Sequence, residues 1–140
     1  MARRILIVED DEKSRRLLSD VLAFHGYEVA AVRSGEEGLR TATLHAPDAA
    51  LLDIQLPGIS GFEVLAGLRD SKCCGARLPV VAVTASVMDQ DRKKILSAGF
   101  NAFVSKPVNI RDLLATLDPR NYEVAKLIRE RFLDDALRQI

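Results

Sequence analysis

The residues best suited to chemistry are acidic side chains and one lysine, each placed at the end of a short apolar run. Glu9 and Asp10 follow a first run, Asp53 ends a second and Lys106 follows a third. Apolar runs bounded by turn residues are typical of buried strands that end in loops. Open α/β sheets bind their ligands at the carboxyl ends of the strands. The pattern therefore predicts a single charged site at one edge of a sheet.

The chemistry that this set could perform is phosphoryl transfer. If the first and third strands are neighbours, Glu9, Asp10 and Asp53 converge, and a divalent cation would relieve the repulsion between them. Oxygen ligands suit magnesium, which keeps several waters and needs few carboxylates. One carboxylate can then act as a nucleophile toward phosphorus. Lys106 would place a positive charge beside the phosphoryl oxygens, and Thr84, at the end of the fourth strand, would donate a hydrogen bond to them.

Each of these residues also has an ordinary interpretation. Acidic residues after strands often cap helices or lie in turns, a lone lysine is usually at the surface, and a threonine such as Thr84 is common within strands. Four such strand-end features in order along one chain favour the functional interpretation.

The elements that must position these residues alternate regularly. Strands are predicted at 3–9, 27–32, 48–53, 78–84 and 101–105, and helices at 12–25, 35–45, 60–70, 88–98 and 109–117. This alternation predicts a parallel sheet covered by helices on both faces. Ser34 and Glu37 predict a capping box at the second helix. Phe62, Leu65 and Ala66 are expected to face inward from the third helix.

Composition excludes several classes of protein. The 140 residues suffice for one domain with a core, and 20 basic residues balance 20 acidic ones, so no global charge favours nucleic acid or an anionic membrane. No apolar run approaches the roughly 20 residues of a membrane helix, and no signal peptide is predicted. Cys73 and Cys74 are adjacent and lack metal-ligand spacing, which favours reduced thiols in a cytoplasmic protein.

Four ordered motifs together resemble a response-regulator receiver domain of two-component signalling. They are Ile5-Leu6-Ile7-Val8-Glu9-Asp10, Asp53-Ile54-Gln55-Leu56-Pro57-Gly58, Val83-Thr84-Ala85 and Ser105-Lys106-Pro107. The residues of these motifs are most similar to those of single-domain regulators of the DivK type and of the receivers of hybrid histidine kinases. The resemblance implies a receiver domain over residues 1–118 with a flavodoxin-like α/β fold, a doubly wound five-stranded parallel sheet of strand order 2-1-3-4-5.

The resemblance also implies roles for the site residues. Asp53 would accept a phosphoryl group from a phosphohistidine of a histidine kinase or a histidine phosphotransferase. Mg²⁺ would be held by Asp10, Asp53 and the backbone carbonyl of Gln55, with Glu9 acting largely through water. The Lys106-Pro107 bond would be cis. Such a domain is not an ordinary enzyme, although it assists its own phosphorylation and dephosphorylation.

The family further implies how a signal leaves the site. Thr84 would move toward the phosphoryl group, and Phe103, three residues before Lys106, would swing inward. The switched face would comprise the fourth helix, the fifth strand and the fifth helix, and it would bind a downstream protein partner. Phe103 lacks the hydroxyl of receivers with tyrosine there, so its inward state gains no hydrogen bond.

Residues 119–140 extend beyond the receiver-like sequence. Val124, Ile128, Phe132, Ala136 and Ile140 follow one i, i+4 stripe, with Leu133 and Leu137 beside it. The spacing predicts an amphipathic C-terminal helix separated from the fifth helix by Pro119. Its wide apolar arc favours two contacts, one with its own domain and one that forms a homodimer. The helix is too short for a DNA-binding output domain, and no direct contact with nucleic acid or membrane is expected.

Three functions remain open from the sequence. The chain could be a stand-alone phosphoacceptor, or a receiver fragment of a hybrid histidine kinase or larger regulator. It could also be a phosphatase with an aspartate nucleophile, although Asp53-Ile54-Gln55 lacks the second aspartate that such enzymes use as acid and base.

Overall fold

The computed structural model describes residues 3–71, 75–85 and 89–118. Five parallel strands form one sheet in the order β2-β1-β3-β4-β5, which confirms the predicted fold class and strand order. The elements along the chain are β1 (Arg4–Val8), α1 (Glu12–Phe24), β2 (Glu28–Val32), α2 (Gly35–Leu44), β3 (Ala49–Asp53), α3 (Gly61–Asp70), a 3₁₀ turn (Gly75–Arg77), β4 (Val80–Thr84), α4 (Asp89–Ala98), β5 (Ala102–Ser105) and α5 (Ile110–Leu117).

The central strands β3 and β4 are buried along their whole length because helices cover both faces of the sheet. One core cluster fills the face under α1 and α5 and includes Leu22 and Leu113. The other fills the face under α2, α3 and α4 and includes Leu65 and Phe100. Successive strand residues point to opposite faces, so both clusters draw on the same strands.

The helix starts show where capping was predicted well and where it was not. The Ser34 hydroxyl accepts a hydrogen bond from the Glu37 N–H at 3.2 Å, as expected. The Glu37 carboxylate, however, accepts from the N–H of Arg33 at 3.5 Å, so the reciprocal half of the predicted box is displaced by one residue. The complete capping box is at α3, between Ser60 and Glu63.

The buried face of α3 also differs from the prediction. Ala66 is exposed, whereas Val64, Leu65 and Leu68 are buried and Phe62 is half-buried. Val64 and Leu68 are one helical turn apart and flank Leu65, so they define the inward stripe, and Ala66 lies on the opposite side. The large side chains therefore set the orientation of this helix.

Several predictions fall on residues outside the described ranges. The C-terminal helix, the domain division after residue 118 and the state of Cys73 and Cys74 belong to this group and stay predictions. Among the helices of the described residues, none combines the length and the hydropathy that a membrane crossing requires.

Candidate functional site

The strand order brings the predicted acidic residues to one edge of the sheet. Because β1 pairs directly with β3, the residues that end or follow these strands are neighbours. Carboxylate oxygens of Glu9, Asp10 and Asp53 all lie within 4.8 Å of one another. Glu9 is 2% exposed and Asp53 is 5% exposed, whereas Asp10 faces solvent. We call these three residues the acid cluster.

Lys106 reaches the acid cluster from the end of β5, two strands away from β3. Its Nζ donates hydrogen bonds to Glu9 Oε1 at 3.0 Å and to Asp53 Oδ2 at 3.2 Å. Its backbone N–H donates to the carbonyl of Thr84 at 2.8 Å, which fixes where the side chain begins. The Lys106–Pro107 peptide bond is cis, as the resemblance implied.

The pKa values in the cluster respond to burial and to the neighbouring charges. Burial, followed by the adjacent Asp53 carboxylate, raises the pKa of Glu9 to about 7, and Lys106 opposes this rise. Partial burial lowers the pKa of Lys106, but the hydrogen bond to Glu9 and the charge of Asp53 outweigh it, so the net shift is upward. Lys106 is therefore a cation, and Glu9 is close to its titration point at neutral pH.

The donor set of the acid cluster fits magnesium. The cluster offers three carboxylates and no nitrogen or sulfur ligand, which is the donor chemistry that this hard cation prefers. Glu9 Oε2 is buried without a hydrogen-bond partner, so the cluster has a spare acceptor that a cation or its water could satisfy. The exposure of Asp10 leaves one side open to the waters that magnesium retains.

The loop after β3 holds Asp53 in place. The N–H of Gln55 donates to Asp53 Oδ1 at 2.9 Å, so Gln55 and Lys106 each hold a different oxygen of the carboxylate. Gly61, the first residue of α3, lies so close that a Cβ on it would be 2.5 Å from the Asp53 carbonyl oxygen. The metal-ligand role of the Gln55 carbonyl stays a prediction.

Thr84 and Phe103 lie on the same side of the sheet. Thr84 ends β4 and is 5% exposed, and its register partner on β5 is Ser105. Phe103 pairs with Ala82, two residues before Thr84, and is half-buried against the core under α2, α3 and α4. The guanidinium of Arg92 on α4 lies 5.4 Å from the centre of the Phe103 ring, within range of a cation–π interaction.

Two contributors to the site were missed by the sequence analysis. Arg15 on α1 donates to the carbonyl oxygens of Glu9 at 3.0 Å and Asp10 at 3.3 Å, which pins the loop that carries both acids. The only sequence signal was its position one turn into the helix that follows them. Gly61 was missed because close backbone approach depends on how α3 packs beside β3.

Three other titratable residues do not belong to the acid cluster. Asp11 caps α1 by accepting from the N–H of Ser14 at 2.9 Å, and this contact lowers its pKa. His25 and His45 lie at the C-terminal ends of α1 and α2, where the predicted helices 12–25 and 35–45 end, and at the end of the sheet opposite to the acid cluster.

Comparison with known proteins shows which families and proteins this chain is similar to. The profile of the response regulator receiver domain matches residues 5–118. The polar-differentiation response regulator DivK of Brucella ovis is 40% identical over 117 residues, which cover 84% of this chain and 94% of the relative.

Solved structures agree with the sequence comparison. A CheY-like response regulator receiver domain protein of Methanospirillum hungatei superposes with a TM-score of 0.77 at 31% identity, covering 90% of this chain and 98% of that chain. The receiver domain of a sensor histidine kinase from Pseudomonas aeruginosa superposes with a TM-score of 0.75 at 31% identity, covering 82% of this chain and 93% of that one. That structure holds a magnesium ion in its active-site cleft.

Proposed function

Since the chain belongs to the response regulator receiver domain family, we propose that it is a phosphoacceptor in which Asp53 takes a phosphoryl group from a phosphohistidine. The observation that carries the proposal is the position of the Asp53 carboxylate, with Lys106 on one oxygen and the Gln55 N–H on the other. Both hydrogen bonds orient the carboxylate, and neither forms a covalent bond to the oxygen that would attack phosphorus. The donor would be a histidine kinase or a histidine phosphotransferase of a two-component system.

In the proposed reaction an oxygen of Asp53 forms a bond to phosphorus while the bond between phosphorus and the donor imidazole nitrogen breaks. The imidazole leaves with the electron pair of that bond. Asp53, Asp10 and the Gln55 carbonyl would hold Mg²⁺, with Glu9 acting through water, and the cation would neutralise charge on the phosphoryl oxygens. Lys106 would follow the new negative charge by donating its N–H bonds to the phosphoryl group.

The partner donor would dock beside the acid cluster, on α1. Leu17 is an apolar residue with 58% exposure, and it lines a cavity of about 200 Å³ together with Pro107 and Val108. Lys106 lines the same cavity. An apolar contact next to the nucleophile would hold a donor protein over Asp53 without entering the charged site.

The downstream partner would read the face of α4, β5 and α5. Thr84 would donate a hydrogen bond to the phosphoryl group, and Phe103 would move into the space that this shift opens. The cation–π contact of Arg92 with Phe103 supports a coupling between the switch residue and α4. We infer that this contact holds the ring in the unphosphorylated arrangement.

The same site would serve in two kinds of protein, a stand-alone receiver and a receiver fragment of a hybrid histidine kinase or larger regulator. A homodimer through residues 119–140 and a cytoplasmic location stay predictions. An aspartate-based phosphatase is disfavoured, because Gln55 stands where such an enzyme would carry its acid and base.

Replacing Asp53 with asparagine tests the function directly. Asp53→Asn removes the nucleophile and one of the mutually repelling charges, so it should abolish phosphorylation and leave the domain folded. The measurement is intact-mass spectrometry after incubation with acetyl phosphate and magnesium, with circular dichroism as the check on folding.

Asp11→Asn is the matched control. It removes an equal charge at the residue next to Asp10 and two residues after Glu9. Asparagine caps helices as well as aspartate does, so α1 should keep its cap. This variant should still be phosphorylated. A stoichiometric acid-labile adduct in Asp53→Asn would refute the assignment, and continuous release of phosphate from phosphomonoesters by the unmodified protein would favour the phosphatase.

A further inference from the structure

Apolar side chains are exposed at the end of the sheet opposite to the acid cluster. Phe24, the last residue of α1, is 86% exposed, and Leu44, the last residue of α2, is 70% exposed. Beside the C-terminal end of α2 lies a cavity of about 290 Å³ that is lined by β1, β2 and α2, and its floor includes Leu6 and Ala30. We call Phe24, Leu44 and this cavity the amino-edge surface, because the strands begin here.

The cavity has the size and lining of a receptor for an apolar side chain. Leu6 and Ala30 on its floor belong to the core cluster under α2 or pack against it, so an inserted group would extend an existing core. Its rim is polar, with Arg4 paired to Glu28 at 3.5 Å and with His45 nearby. An apolar centre with a polar rim is the usual anatomy of a docking site within or between proteins.

The described chain ends beside this surface. Because α5 runs back across the sheet, its last turn arrives at the end where the strands begin. Arg3 donates from its guanidinium to the carbonyl of Leu117 at 3.0 Å. The carbonyl of Arg3 accepts from the N–H of Glu28 at 2.9 Å, and Glu28 lines the cavity. Arg3 therefore links the end of α5 to Glu28 at the rim of the cavity.

We propose that residues 119–140 of the same chain cover the amino-edge surface as an amphipathic helix. A helix of this length spans roughly 30 Å at 1.5 Å per residue, about the width of a small domain, so it can cross the whole end of the sheet. Its apolar stripe at i, i+4 spacing would face the surface, and Ile128 and Phe132 lie at the middle of that stripe. One of these two side chains would occupy the cavity.

The occupant is assigned to the same chain because of the tether. A segment joined directly to α5 is present at an effective concentration in the millimolar range, which a second copy reaches only in concentrated solution. An isolated helix of about 20 residues is marginal in water and needs an apolar surface to become stable. Covering this end leaves the acid cluster and its α1 surface free, so phosphorylation does not depend on the segment.

Hydrogen exchange of the full-length chain, followed by mass spectrometry, tests the proposal. Amides of residues 124–137 should exchange at least tenfold more slowly than those of an unstructured peptide. Phe24→Ser or Leu44→Ser should remove most of this protection. Both side chains are exposed, so both variants should keep the fold and accept phosphate at the normal rate.

Leu17→Ser is the matched control, because Leu17 is an exposed apolar residue on the same helix as Phe24 but near the opposite end of the sheet. It should leave the protection intact, and so should tenfold dilution. Three results would overturn the proposal. They are unprotected amides in the unmodified chain, protection that survives both serine variants, and protection that disappears on dilution together with a dimeric mass, which would assign the surface to a second copy.

Discussion

Replacing Lys106 with methionine would test whether one cation balances the acid cluster. Methionine keeps most of the side-chain length and removes the ammonium group. That group lies 3.0 Å from Glu9 and 3.2 Å from Asp53, and both acids are almost fully buried. Lys106→Met would therefore leave two buried carboxylates without their counter-charge.

The size of the effect follows from the burial of the partners. Removing one member of a buried ion pair costs about 3 to 5 kcal/mol of unfolding free energy. Lys106 itself is 31% exposed, so water screens part of its charge. We therefore expect the metal-free protein to lose about 2 to 3 kcal/mol at pH 8, less than a fully buried lysine would cost.

The loss should depend on pH because Glu9 can take up a proton. The pKa of Glu9 is about 7 in the folded protein against an ordinary value of 4.5. Between these values the folded state binds more protons than the unfolded state, so the free energy of unfolding falls as pH rises through this window. Lys106 opposes the upward shift, and its removal raises the pKa of Glu9 further. At pH 5 Glu9 is protonated in both proteins, so the cost of Lys106→Met should shrink to about 1 kcal/mol.

Urea unfolding followed by circular dichroism at pH 5 and pH 8, in EDTA, measures both quantities. Lys13→Met is the control, since Lys13 is an exposed lysine of α1, and its effect should stay within about 0.5 kcal/mol. Magnesium should stabilise Lys106→Met more than the unmodified protein, because the cation no longer competes with the ammonium group. Equal stability of the two proteins at pH 8, or an equal loss at both pH values, would refute this account of the charge balance.

Two further substitutions test how the backbone supports the site. Gly61→Ala should lower the free energy of unfolding by about 1 to 3 kcal/mol and weaken beryllofluoride binding, because the new Cβ would meet the backbone of Asp53. Gly67→Ala is the control: its Cβ would meet only a flexible leucine side chain, so the same urea titration should show almost no change in stability. Arg69→Met should lower the free energy of unfolding by about 2 to 4 kcal/mol, because the Arg69 guanidinium donates to three backbone carbonyls and one side-chain amide around β4 and β5. Arg16→Met is the control: Arg16 forms an exposed ion pair on α1, and its loss should change the free energy of unfolding by no more than about 0.5 kcal/mol.

The sequence predicted the fold well because two independent patterns agree. Continuous apolar runs such as 49–52 identify strands buried on both faces, and the regular alternation with helices leaves a parallel sheet as the simple solution. Strand order did not follow from these patterns, since any two strands could have been neighbours. It came from the resemblance, whose motifs carry information that periodicity does not.

Local packing was predicted less well than topology. Ala66 was assigned to the core because its spacing from Phe62 fits one turn of helix, yet Val64 and Leu68 define the buried stripe. The rotation of a helix about its axis depends on how large side chains fit the opposing sheet, and spacing alone does not determine this. The predicted capping box at Ser34 was wrong in its second half, because the Glu37 carboxylate accepts from the N–H of Arg33 rather than from the N–H of Ser34.

For the site, sequence located the side chains and the structure supplied their support. The strand-end rule placed Glu9, Asp53 and Lys106 together, because carboxyl ends of parallel strands share one edge. The same rule says nothing about groups that act through backbone carbonyls. Arg15 holds the acidic loop through two such carbonyls, and no residue-type pattern identifies a contact of that kind.

If Asp53 accepts a phosphoryl group as proposed, the charges at the site would let Lys106 act both as a structural partner and as a sensor. When fully ionised, the three carboxylates and Lys106 leave a net charge of two negatives, which one divalent cation would neutralise. Transfer of a phosphoryl group to Asp53 would then add negative charge that this cation would not balance. Lys106, already within 3.2 Å of Asp53 and partly exposed, is the described cation placed to follow that charge. A movement of Lys106 would reach the end of β4 through the bond from its own N–H to the Thr84 carbonyl.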